Sequence, residues 1–136
     1  GQGTVLMSPL AAATLAASTG PGTVTPVLLP EVTVGGPAGT DAGSQDLDAI
    51  AQMMRTAVTD GTGTVLADVP GAPVAAKTGT AEFGTDTPPQ THGWMVAVQG
   101  DLAAAVFVEQ AESGSGTAGP ILREFLSRAD VVAPAP

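Results

Sequence analysis

The stretch from Ala72 to Ala111 constrains the fold most. It holds three runs in close succession, "APVAAKTGTAEF", "HGWMVAVQG" and "LAAAVFVEQA". Each is rich in apolar and β-branched residues, and the last two flank Gly100-Asp101, a short hairpin turn. Runs this short and this close read naturally as adjacent strands, so an antiparallel meander of three strands is expected. Helices must cover it. Ser8-Pro9 reads as an N-cap followed by proline at the first helical position, which places a helix over 8–18 with Gly20 as its stop. Leu47, Ile50, Met54, Ala57 and Val58 recur at helical spacing, which places a second over 46–59 and closes it at Asp60-Gly61. A closing helix is expected over Thr117–Ala129, with Pro120 in its first turn and Ile121, Leu122, Phe125 and Leu126 on one face.

Between the first two helices, "TVTPVLLPEVTV" is β-like, but Pro26 and Pro30 confine it to an edge strand or extended coil, and Gly35–Ser44 reads as a loop. The fold class is therefore α/β in the broad sense (α+β), an antiparallel sheet flanked by helices. One domain over 1–130 is expected, with 131–136 as a flexible tail. The 136 residues are 43% apolar but only 3% aromatic, so the core must come mainly from Ala, Val, Leu, Ile and Met, with Trp94, Phe83, Phe107 and Phe125 as its few large pieces.

A net charge of −9 leaves no basic patch for a phosphate backbone, which argues against nucleic acid and anionic membrane surfaces. With no cysteine and one histidine, His92, neither a thiolate nucleophile nor a His-rich metal site is available. The opening "GQGTVLMSPL" lacks an initiator methionine and a basic region before an apolar stretch, so the chain is expected to be a piece of a longer one.

The one lysine of the chain, Lys77, lies in "VAAKTGTAEFG" (Val74–Gly84). A lysine followed by threonine and glycine suits an anion in two unrelated ways. A phosphate loop would map onto "GAPVAAKT", Gly71 to Thr78, but Ala76 occupies the position that must be glycine, and β-like residues follow where a helix should open. A nucleotide-binding domain is therefore the weak alternative. In a strand, Thr78 and Thr80 point to one side while Lys77 and Gly79 share the other, and Gly79 allows a backbone or ligand to approach closely. Two hydroxyls and an ammonium are then expected to converge on one anion; the bland alternatives are a lysine satisfied by a carboxylate and ordinary strand threonines.

Other segments keep company with this one. "GQGTVLMSPLAAATLAA" (Gly1–Ala17), "MMRTAVTDGTGTVLA" (Met53–Ala67), "VAAKTGTAE" (Val74–Glu82) and "HGWMVAV" (His92–Val98) come in the order and spacing of the C-terminal part of the transpeptidase domain of penicillin-binding proteins. The chain resembles that family over nearly its whole length. The resemblance implies the β-lactamase-like fold of penicillin-recognising serine transpeptidases, no metal or cofactor, and a place on the outer face of the bacterial cytoplasmic membrane, anchored through an upstream segment. It implies a D,D-transpeptidase that cross-links peptidoglycan stem peptides ending in D-Ala-D-Ala and that reacts with β-lactams. A β-lactam sensor, a serine β-lactamase and a D,D-carboxypeptidase share the motif.

The family's chemistry needs S-x-x-K, S-x-N and K-T-G. With Lys77 the one lysine and no asparagine, this chain holds only the last. A companion chain carrying the N-terminal half of the domain, with the nucleophilic serine, is the expected partner; a degenerate, non-catalytic relative is the alternative. The resemblance gives Lys77 a hydrogen bond to the serine of S-x-N. It gives Thr78 and Thr80 the carboxylate of the stem peptide or β-lactam beside Gly79, and the N–H of Thr80 one place in the oxyanion hole. His92 is expected to be structural, Trp94 to lie in the core, the loop Gly84–Thr91 to rim the cleft, and Glu82 and Asp86 to be solvated.

Overall fold

The structure, a computed structural model, describes residues 5–20 and 44–129. The expected strand or coil over 23–34, most of the loop over 35–44 and the tail over 131–136 lie outside these residues. Helix α1 spans Pro9–Ala17. Ser8 is extended and its hydroxyl accepts the N–H of Ala11 at 3.1 Å, so the capping read from the sequence is realised. The helix ends before Gly20, where the N–H of Ser18 closes on Thr14 O and that of Thr19 on Ala16 O, each at 3.1 Å. Ala12 and Ala16, one turn apart, are its buried residues; small side chains let α1 sit close on the sheet.

Helix α2 spans Ser44–Asp60, starting two residues before the expected Asp46. Val58 and Met54 are buried, whereas Ile50 and Met53 are exposed, so only the second half of its apolar face is covered by described residues. Arg55 donates to Val74 O at 2.6 Å and ties α2 to the approach of the first strand. A short 3-10 turn, Thr64–Leu66, then drives Leu66 into the core.

The meander is as expected: β1 Ala75–Phe83, β2 Gln90–Gln99 and β3 Leu102–Val108, antiparallel in the order β1-β2-β3. Gly100, at φ 57°, makes the tight turn between β2 and β3. Register pairs Thr78 with Met95, Thr80 with Gly93 and Gly79 with Trp94. A π-helical turn, Gly114–Ala118, crosses one face of the sheet and runs into α3, Gly119–Arg128. The closing helix therefore begins earlier, and less regularly, than Thr117.

Between the sheet and α3 lies the main core: Val58, Leu66, Val69, Val74, Ala76, Met95, Ala97, Ala118, Leu122 and Leu126. Of the four residues expected on one face of α3, Leu122 and Leu126 are in this core, while Ile121 and Phe125 are half exposed. The expected large core pieces are not there either. Trp94 and Phe83 are only half-buried and Phe107 and Phe125 are exposed. The strand alternation explains it for β2 and β3: Met95 and Ala97 face α3, so Trp94 must face the other way, where it meets Phe107 with ring centroids 4.5 Å apart.

Gln99 is a buried polar residue at the end of β2. Its Nε2 donates to Pro70 O and Ala72 O at 2.8 and 2.9 Å, while its Oε1 has no partner. That amide anchors the segment entering β1.

Candidate active site

Strand β1 brings Lys77, Thr78, Gly79 and Thr80 to the margin of the described sheet, since β2 is its one strand neighbour there. Alternation divides them as expected. Lys77 and Gly79 share the face of Trp94 and Val96; Thr78 and Thr80 share the face of Gly93 and Met95. Gly79 packs closely on Trp94: a Cβ there would lie 3.3 Å from Trp94 Cβ, a tight contact that a small shift of the neighbour would have to relieve.

The three polar groups do not meet at one point in this structure. Lys77 Nζ is exposed and donates to Thr78 O at 2.7 Å, leaving two of its three hydrogens for other acceptors. Thr78 Oγ1 is 2.7 Å from Thr62 Oγ1, which hangs from the turn after α2. Thr80 Oγ1 accepts the N–H of Gly114 at 3.1 Å. The expected convergence on one anion is therefore divided across the two sides of the strand, with each threonine hydroxyl held by a separate neighbour. Thr62 and Gly114 are the polar neighbours that the sequence did not single out. Thr62 stands in the "GTG" that closes α2, a visible turn signal, but nothing local says that it reaches a strand sixteen residues on. Gly114 carries no signal beyond a Ser/Gly-rich stretch.

Lys77, Gly79, Trp94 and Val96 also floor an apolar groove of about 670 Å3 whose walls are α1 and α2, including Leu15, Ile50 and Met53. Leu15 and Met53 are 62% and 64% exposed, a large apolar surface for so few residues.

His92 fits the structural role expected of it. Its Nδ1 lies 2.6 Å from Glu109 O, and since a carbonyl only accepts, Nδ1 carries the proton. The ring stacks on Phe83 at 3.9 Å and tilts against Phe107. Glu82 and Asp86 are exposed as expected, and Asp86 accepts from Gln90 Nε2 at 2.9 Å. No helix among the described residues is long and apolar enough to cross a membrane.

Comparison with known proteins gives one family and one structure of note. The family described as "Transpeptidase: Penicillin binding protein transpeptidase domain" matches residues 1–127. The crystal structure of the D,D-transpeptidase domain of a peptidoglycan glycosyltransferase from Eggerthella lenta is 28% identical, over 62% of this chain and 20% of that one, with a TM-score of 0.48. This chain thus spans about a fifth of that chain's length. No curated protein matches.

Proposed function

Because the chain belongs to the penicillin-binding protein transpeptidase family, we propose that it supplies the K-T-G strand of a serine D,D-transpeptidase acting outside the cytoplasmic membrane. The single observation that carries this is the position of Lys77–Thr80 on β1, which among the described residues pairs with one strand only, with Lys77, Thr78 and Gly79 lining the apolar groove.

The nucleophile comes from residues beyond these 136, since none of the six serines has a lysine three residues on. That serine's oxygen attacks the penultimate D-Ala carbonyl carbon of a stem peptide. The resulting oxyanion is held by the N–H of Thr80 and that of the serine, the C–N bond breaks, and D-Ala leaves as the protonated amine. An amine of a neighbouring stem peptide then attacks the acyl ester and returns the serine. Thr78 and Thr80 hold the terminal carboxylate, and Lys77 adds positive potential in a chain that otherwise has few cations. The same groups hold a β-lactam carboxylate. The segment carrying the serine, whether on the same polypeptide or on a companion chain, packs on the apolar groove, which supplies the hydrophobic surface for it.

Thr80→Val in the assembled domain tests this. Valine keeps the shape and the N–H and removes only the hydroxyl. A hydrogen bond to a charged group is worth ~1.5–3 kcal/mol, so acylation by penicillin should slow about tenfold to a hundredfold. A thioester without that carboxylate should be much less affected. Equal loss on both would mean that the strand had shifted; no loss on either would mean that Thr80 does not meet the ligand. A β-lactamase or carboxypeptidase would show the same dependence but rapid hydrolysis of the acyl-enzyme, and a sensor no turnover.

A further inference from the structure

The chain returns after β3 to the back of the strand that carries Lys77–Thr80. It passes first behind β2 at Gly93, where a Cβ would lie 2.6 Å from Ala111 Cβ. It then reaches the paired backbones of β1 and β2 at Gly114, where a Cβ would lie 2.4 Å from both Gly79 O and Trp94 O. Those atoms are backbone and cannot swing aside, so only glycine permits this approach. The approach brings the buried Gly114 N–H to Thr80 Oγ1, 3.1 Å away.

The turn is clamped on both sides of that contact. Ser113 Oγ accepts the N–H of Gly116 at 2.9 Å, and Thr117 Oγ1 accepts the N–H of Glu112 at 3.2 Å. Thr91 Oγ1 donates to Ala111 O, and the N–H of Ala111 donates to Thr91 O at 2.8 Å, so β2 holds the entry to the turn.

We propose that Gly114 is a positioning residue for the Thr80 hydroxyl. A threonine hydroxyl has one hydrogen and two lone pairs. When the backbone N–H occupies one lone pair from behind, the oxygen is fixed and its hydrogen remains to be donated outward, to the carboxylate of a ligand lying along β1. Without that N–H the hydroxyl is a free rotor that must be oriented by the ligand itself. This deepens the role proposed above for Thr80 and rests on it.

The test compares penicillin with a thioester lacking its carboxylate, in the assembled domain carrying Thr80→Val, Gly114→Ala or both. Gly114→Ala should lower the preference for the carboxylate substrate about threefold to tenfold, the worth of one oriented hydrogen bond. The double variant should lose no more preference than Thr80→Val alone, because both changes act through one hydroxyl. Gly114→Ala that slows both substrates equally, or whose effect multiplies that of Thr80→Val, overturns the proposal. Where Gly114→Ala does not fold, amide exchange at Gly114 is read instead in Thr80→Ser and Thr80→Val. Exchange should quicken severalfold in the valine variant and stay unchanged in the serine variant, which keeps the acceptor; unchanged exchange in Thr80→Val overturns the proposal. A Thr80→Val domain with its carboxylate preference intact would refute the role of Thr80 and this proposal together. An altered Thr80→Val beside an unaltered Gly114→Ala would refute this proposal alone.

Discussion

Gln99→Glu replaces one amide nitrogen by oxygen at nearly constant shape, at a side chain with no solvent exposure. In the native protein Nε2 faces two carbonyl oxygens, Pro70 O and Ala72 O, at 2.8 and 2.9 Å. A carboxylate there would offer only acceptors to acceptors. A buried, uncompensated charge costs ~3–5 kcal/mol. The side chain has an escape, which is to stay protonated. Against an ordinary glutamate pKa of about 4.3, holding that proton at pH 7 costs ~3.7 kcal/mol at 1.36 kcal/mol per unit. The protonated acid restores one donor for the two that the amide supplied, a further loss of ~1 kcal/mol. The sum is on the order of 4–5 kcal/mol at neutral pH.

The sign of the pH dependence follows from the same numbers. Burial among carbonyls raises the folded-state pKa of the introduced acid above its unfolded value. The unfolded chain therefore gives up its proton first as pH rises, and the variant loses stability relative to wild type from about pH 4.3 upward. Below that, only the lost hydrogen bond remains. Thermal unfolding of the assembled domain should show a deficit of roughly 10 °C or more at pH 7 that shrinks to a few degrees at pH 4. Gln99→Leu is the control: it loses both hydrogen bonds but also removes the unpartnered Oε1, so its deficit should be smaller and independent of pH. Wild-type stability of Gln99→Glu at pH 7, or a deficit equal at both pH values, would refute the sealed, donor-only role assigned to Gln99.

Leu122→Ala, at a fully buried position on α3, should cost ~2–5 kcal/mol in denaturant unfolding of the assembled domain; a cost below about 1 kcal/mol would mean that α3 is not seated on the sheet. Leu15→Ser with Met53→Ser should make the isolated chain more soluble and weaken its association with the segment carrying the nucleophile. Sedimentation of the mixture reads both, and undiminished association would place the partner elsewhere than the groove.

Local chemistry made most of the fold legible. Ser8-Pro9 marked the start of α1 because capping is settled within a few residues. The three β-rich runs marked the meander because turns such as Gly100-Asp101 act locally. What escaped depends on distant partners. The start of α3 was misplaced because Gly114–Ala118 is shaped by its contact with Gly79 and Trp94, far back in the chain. Trp94 was expected in the core on its size alone, but its place in the alternation with Met95 and Ala97 turns it to the groove. The strand placing Lys77, Thr78, Gly79 and Thr80 was visible as a motif. Their polar neighbours Thr62 and Gly114 were not, since a turn residue and a glycine gain meaning only when the fold brings them to β1.

The measurement closest to the central claim is mass spectrometry of this chain and of the assembled domain after exposure to penicillin. The isolated chain should gain no covalent adduct, because acylation needs an activated serine and none of its six serines has the lysine partner. In the assembly, the adduct should map to a serine outside these residues, at a rate that falls with Thr80→Val. A stable acyl adduct on Ser8, Ser18, Ser44, Ser113, Ser115 or Ser127 of the isolated chain would contradict the account.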